Sequence, residues 1–148
     1  MNYGYACINE TLGAGPKKTR ITTNRSMIKR TFKERGIKYA SELALQNIHD
    51  LIKILAWNED NDIKFYRMSS DIFPWSSEYN YYDLPNYKEI KYWLHCAGEA
   101  ATKMGHRLTF HPGPFNCLAS PNFEVVEKTY KELNNHSRIF DMMGFEPS

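Results

Sequence analysis

Residues 3 to 9 (YGYACIN) form a short apolar and aromatic run, and the turn-prone Leu12, Gly13, Ala14, Gly15 and Pro16 follow, which predicts a buried strand and then a loop. A short helix is predicted from about Asn24 to Arg35, with Asn24 as its N-cap and Gly36 as a left-handed stop. Ala44, Ile48, Leu51, Ile52 and Leu55 then recur at helical spacing, and Trp57 and Asn58 close this longer helix. Residues 62 to 68 alternate and favour a second strand; the SSDIFPW that follows has the polar and proline content of a loop. After Pro85, Ile90, Leu94, Ala97, Ala101 and Met104 mark another helix, stopped by Gly105. Residues 107 to 111 form a third strand, turned by HPGPF. Ser120 as N-cap and Pro121 in the first turn open a helix through Val125, Val126, Thr129 and Leu133, and Gly144 stops a final helical segment carrying Ile139, Phe140 and Met143.

This order of strands and helices calls for an α/β fold of about three βα units, with parallel strands and right-handed crossovers. The loops after the strands, residues 10 to 25, 69 to 85 and 112 to 120, are long and polar, while the returns from helix to strand are short. In α/β barrels the chemistry sits on the strand-to-helix loops, and a complete barrel takes about 250 residues. With 148 residues, ending where a fourth strand should begin, residues 1–148 are expected to form one domain that is half of such a barrel. An open half would leave an unpaired parallel edge, free to pair with a second half-barrel or with another copy.

A content of 42% hydrophobic and 14% aromatic residues is enough for a core and argues against disorder. The three cysteines form neither a C-x-x-C pair nor an even framework, so a reducing compartment fits best. There is no basic start followed by an apolar stretch and no membrane-spanning run; a soluble intracellular protein, not bound to a membrane, is expected. The net charge of +2 conceals an asymmetry. Nine basic residues between positions 17 and 38, Arg20 and Arg25 among them, face only Glu34, a net of +8, and the rest of the chain is at −6. Such a patch suits a phosphate backbone; a solvated helix face is the plainer alternative.

His111 ends the third strand and opens a Pro-Gly turn, so its imidazole would face the barrel mouth as a metal ligand; a packed, hydrogen-bonded histidine is the other reading, and one ligand makes no metal site. Tyr5 and Asn9 lie an even number of residues apart and share a face, with Asn9 placed to hydrogen-bond a phosphate or base, or else Tyr5 is a buried tyrosine with a satisfied hydroxyl. Phe115, behind the Pro-Gly-Pro turn, is either a wedge for a damaged duplex or a loop anchor folded into the core. His49, His95, His106 and His136 fall on or beside helices and take structural roles. Phosphate-loop, H-E-x-x-H and G-x-S-x-G motifs are absent.

GYACINETLG, TTNRSM, ELALQNIHDLIKILAWN, YRMSSDIFPW, RLTFHPGPFNCLASP and ELNNHSRIFDMMG together resemble the UV damage endonucleases, in order and over nearly the whole chain. The resemblance implies the N-terminal half of a TIM-like barrel, damaged double-stranded DNA as substrate, and a cluster of divalent metals, usually manganese, that supports cutting 5′ of a UV photoproduct. It makes His111 the family's first metal histidine and Tyr5 and Asn9 a pair close to the lesion. Pro114 stands where the family usually has a glutamine, and Phe115 keeps the aromatic half of that duplex probe. Proline has no side-chain amide and no N–H, so this residue cannot hydrogen-bond the strand as a glutamine would. The remaining ligands of the family come from beyond Ser148, so this chain by itself is expected not to build the cluster and to be inactive alone. A non-catalytic DNA-binding half that pairs with a second half is the alternative, and a metal-dependent sugar isomerase on a related barrel is a third reading.

Overall fold

Three parallel strands, β1 (Gly4–Ala6), β2 (Phe65–Ser69) and β3 (Arg107–His111), lie side by side in the order β1-β2-β3. They alternate with the helices α1 (Glu10–Gly13), α2 (Lys29–Asp60), α3 (Tyr87–Lys103) and α4 (Phe123–Met143). This computed structural model describes residues 3–146. Tyr5 is in register with Tyr66 and Tyr66 with Leu108, while Ser69 pairs with His111 at the upper rim.

Among the described residues, only one face of the sheet is covered by helices. Tyr66, Met68 and Phe110 project into a core built from Ile48, Leu51 and Leu55 of α2, Ile90 and Leu94 of α3, and Ile139 and Met143 of α4. Side chains in a strand alternate in direction, so Gly4, Ala6, Arg67, Arg107 and His111 fall on the opposite face and are exposed. Strands buried on both sides would carry near-continuous apolar runs; here Arg67, Arg107 and His111 interrupt them, so the open face mixes these polar groups with Ala6 and Phe65.

Several boundaries differ from those predicted. β1 ends at Ala6 because Cys7 takes a left-handed backbone (φ 61°), and the N–H of Ile8 folds back onto the carbonyl of Ala6. Asn24 is no N-cap: residues 24–28 lie outside any helix, with Asn47 on α2 accepting the N–H of Arg25 and donating to its carbonyl, and the helix starts at Lys29. Gly36 (φ 64°, ψ −160°) breaks α2 as expected, but the chain resumes helix at once, so the two predicted helices form one kinked element. The last two predicted segments are likewise one helix, opened by Asn122, whose side chain accepts from the N–H of Glu124, and ended by left-handed Gly144. The loop over residues 10–25 contains the unpredicted α1, capped by Asn9.

α3 and α4 cross at Gly98, where an added Cβ would lie 1.9 Å from the carbonyl oxygen of Met143. The contact needs a residue without a side chain, and it sets the position of α4 behind β3.

Candidate functional site

The upper rim of the sheet and its three loops form the candidate site. At the tip of β3, His111 stands exposed on the open face. Its neighbour Phe110 points the other way, 8% exposed, with its ring lying parallel to that of His136 on α4 at 4.2 Å. The turn after His111 is held from below. Glu132 accepts the N–H of Gly113 at 2.8 Å, Asn116 donates to the carbonyl of Gly113 at 3.0 Å, and Thr129 accepts the N–H of Cys117 at 2.9 Å. Pro114 and Phe115 are thrust outward by this anchored turn, and Phe115 is 89% exposed. It is therefore no core anchor; the braced turn holds its ring in solvent.

Glu132 and Thr129 carry no sequence signal, because they meet the turn only across the helix that follows it. His136, whose Nε2 lies 3.8 Å from the Glu132 carboxylate, is too far for a hydrogen bond, and burial holds its imidazole below the ordinary range against the opposing pull of that carboxylate.

Tyr5 and Asn9 do come together, but by a different route from a shared strand face. The amide of Asn9 donates to the Tyr5 hydroxyl at 2.9 Å, and that hydroxyl donates to Asn58 on α2 at 2.7 Å. Asn9 also accepts the N–H of Leu12 at 2.9 Å, as the cap of α1. Tyr5 packs on Tyr66, on the helix side of the sheet, and burial pushes its phenol up. In this arrangement the pair shapes the first loop and has its polar groups engaged within the protein.

The basic segment divides into two kinds of residue. Arg25 is committed internally: its guanidinium pairs with Asp50 at 2.6 Å and donates to the carbonyls of Thr22 and Arg20 at 2.7 and 2.9 Å. These donors clamp the first loop onto α2. Asp50 is 4% exposed and also accepts from the N–H of Thr22 and from Lys53. Asp50 lies off the apolar stripe of α2, with Asn47 and Ile54 as helical neighbours, so spacing along the chain does not mark this clamp. Arg20 lines a cleft of about 550 Å³ with Lys17, Arg25, Tyr39 and Gln46, beside the exposed Lys18, and of its two arginines Arg25 is the one held by Asp50.

A second cleft, of about 440 Å³, opens between the loops after β2 and β3, with Asp71, Trp75, Phe115, Lys128 and His136 on its walls. Lys131 of α4 bridges it by donating to the carbonyl of Ser77. No three His, Cys, Asp or Glu side chains converge as a metal-binding group among the described residues, so His111 offers one ligand and the described residues do not complete a site. None of the described helices is long and apolar enough to cross a membrane.

Comparison with known proteins agrees with this fold. The family model described as UV-endonuclease UvdE matches residues 1–148. The chain is 36% identical to the UV-damage endonuclease of Schizosaccharomyces pombe, covering 95% of this chain and 23% of that protein. It is 33% identical to the UV DNA damage endonuclease of Clostridium perfringens, covering 97% of this chain and 32% of that one. The crystal structure of SacUVDE superposes with a TM-score of 0.82 at 26% identity, over 99% of this chain and 47% of the other. The chain thus spans less than half the length of these relatives, and its three βα units form part of a TIM-like barrel.

Proposed function

This chain belongs to the UV-endonuclease family, and we propose that it is the DNA-engaging part of a repair enzyme that nicks duplex DNA 5′ of UV photoproducts. One observation carries the reading: His111 and Phe115 share a single braced turn, so a metal-ligating imidazole and a duplex-probing ring are held at a fixed separation. Phe115 enters the stack at the lesion, as apolar wedges do when they open a duplex. Lys17, Lys18 and Arg20 neutralise phosphates along the first loop. Pro114 adds rigidity beside the probe and no hydrogen bond.

A divalent metal, manganese in this reading, would supply Lewis acidity and a hydroxide at neutral pH. His111 fits it as one ligand, and further ligands must come from outside the described residues. Arg67 and Arg107 on the open sheet face support a second half-barrel as the complement, because charged side chains inside a closed barrel need carboxylates or phosphates opposite them.

The test is nicking of UV-irradiated supercoiled plasmid in manganese by the chain alone and by a fusion to the C-terminal remainder of the Clostridium perfringens relative. Only the fusion should nick, and His111→Ala or chelation should abolish it. Equal nicking by the His111→Ala fusion would remove the metal-ligand role, and failure of the chain to bind irradiated DNA at all would remove the DNA-engaging role.

A further inference from the structure

We propose that the cleft between the second and third strand-to-helix loops receives an extrahelical purine from the strand opposite the lesion. This rests on the DNA-nicking reading, because it takes Phe115 as the wedge. UV photoproducts join pyrimidines, so the bases facing them are purines, and a ring driven into the stack leaves such a base without a partner.

The cleft is built to take one. Its volume of about 440 Å³ lies within the range of small-molecule sites, roughly 300–1,000 Å³. Phe115 and Trp75 give it aromatic walls, and Asn135 and His136, 8% and 7% exposed, line it as buried polar groups. The Nε2 of His136 is buried without a hydrogen-bond partner. Leaving such an atom unpaired is unfavourable, and the edge of an entering base would relieve it. Burial keeps the His136 ring neutral near pH 7, with one donor and one acceptor nitrogen, and the Asn135 amide matches the paired donor and acceptor of an adenine edge. Lys128, also on the cleft wall, is placed for the phosphate of the displaced nucleotide.

Two duplexes test this. One carries an abasic analogue opposite a purine, and the other carries abasic analogues on both strands. The protein should bind the first about tenfold more tightly, the gain expected of one or two satisfied buried hydrogen bonds. The ring signals of His136 in NMR spectra should shift with the first duplex and not with the second. Asn135→Leu on α4 and Ser76→Trp on the facing loop should each erase the preference, two variants on separate elements that a single folding defect would not explain. Tight binding of both duplexes with equal affinity and an unmoved His136 overturns the pocket and leaves the nuclease reading standing. Binding of neither duplex overturns the nuclease reading, and the pocket falls with it.

Discussion

The carboxylate of Glu132 on α4 accepts the backbone N–H of Gly113 at 2.8 Å, so the turn that follows His111 is anchored by a side chain 19 positions further on. The helix that packs behind β3 through His136 and Phe140 against Phe110 thereby also fixes the loop above it.

Removing that acceptor should loosen the turn without unfolding the domain. A hydrogen bond to a charged group contributes roughly 1.5–3 kcal/mol, so Glu132→Ala should speed hydrogen exchange at the Gly113 amide by about tenfold or more. Glu132→Gln should restore part of the protection. An unchanged exchange rate would show that the turn is held by Asn116 and Thr129 alone.

Arg25, Lys17 and Arg20 line one cleft, but Arg25 is ion-paired with Asp50 and stabilises the fold. Asp50→Ala leaves a guanidinium, an ammonium and the Thr22 N–H without their acceptor, and should lower stability by about 3 kcal/mol in urea unfolding. Lys17→Ala and Arg20→Ala should each reduce the slope of log affinity for DNA against log salt by about 0.9, with little change in unfolding. Weaker DNA binding by Arg25→Ala at unaltered stability would contradict this division.

Gly98→Ala separates helix propensity from packing. In an exposed helix the change would stabilise by about 1 kcal/mol. Here the new methyl would meet the carbonyl of Met143 at 1.9 Å, so α3 and α4 must part, and a loss of roughly 1–3 kcal/mol or more is expected. A thermal melt at or above that of the natural protein would mean that the helices cross elsewhere.

Acid should weaken the fold in two stages. Burial holds His136 below its usual 6.5, so the unfolded chain takes up that proton more readily; the His136 contribution is whole above about pH 6.5 and declines as pH falls below it. Hydrogen bonds from Lys64 and then from His106 hold the Glu59 carboxyl below its usual 4.5, so its contribution is lost as pH falls through the range beneath about 4.5. His136→Phe, which keeps a ring against Phe110, should flatten the first stage of a melting-temperature profile and leave the second. A profile of the variant that parallels the natural one would assign the first stage to another group.

The periodic stretches were legible from the chain itself. The apolar stripes of α2 and α3, the five residues of β3 and the alternation of strands with helices all follow from burial on one face, which imposes spacing on a sequence. Boundaries were less so. Asn24 carries a good cap side chain, yet the backbone groups of Arg25 are satisfied by Asn47, a residue of the next helix, and that contact overrides the local preference.

The sequence by itself determined the α/β order, the long loops on one end of the strands, the position of His111 at a strand tip and the concentration of positive charge before α2. Only the tertiary structure decided which charges are free: Arg25 and Arg20 look alike in a string of basic residues, and Asp50, more than twenty positions away, takes one and leaves the other. It also decided that Phe115 stands in solvent, and that Glu132 and His136 lie beneath it. Side chains from separate elements meet at these points, and spacing along a chain encodes the face of an element but not what that face will touch.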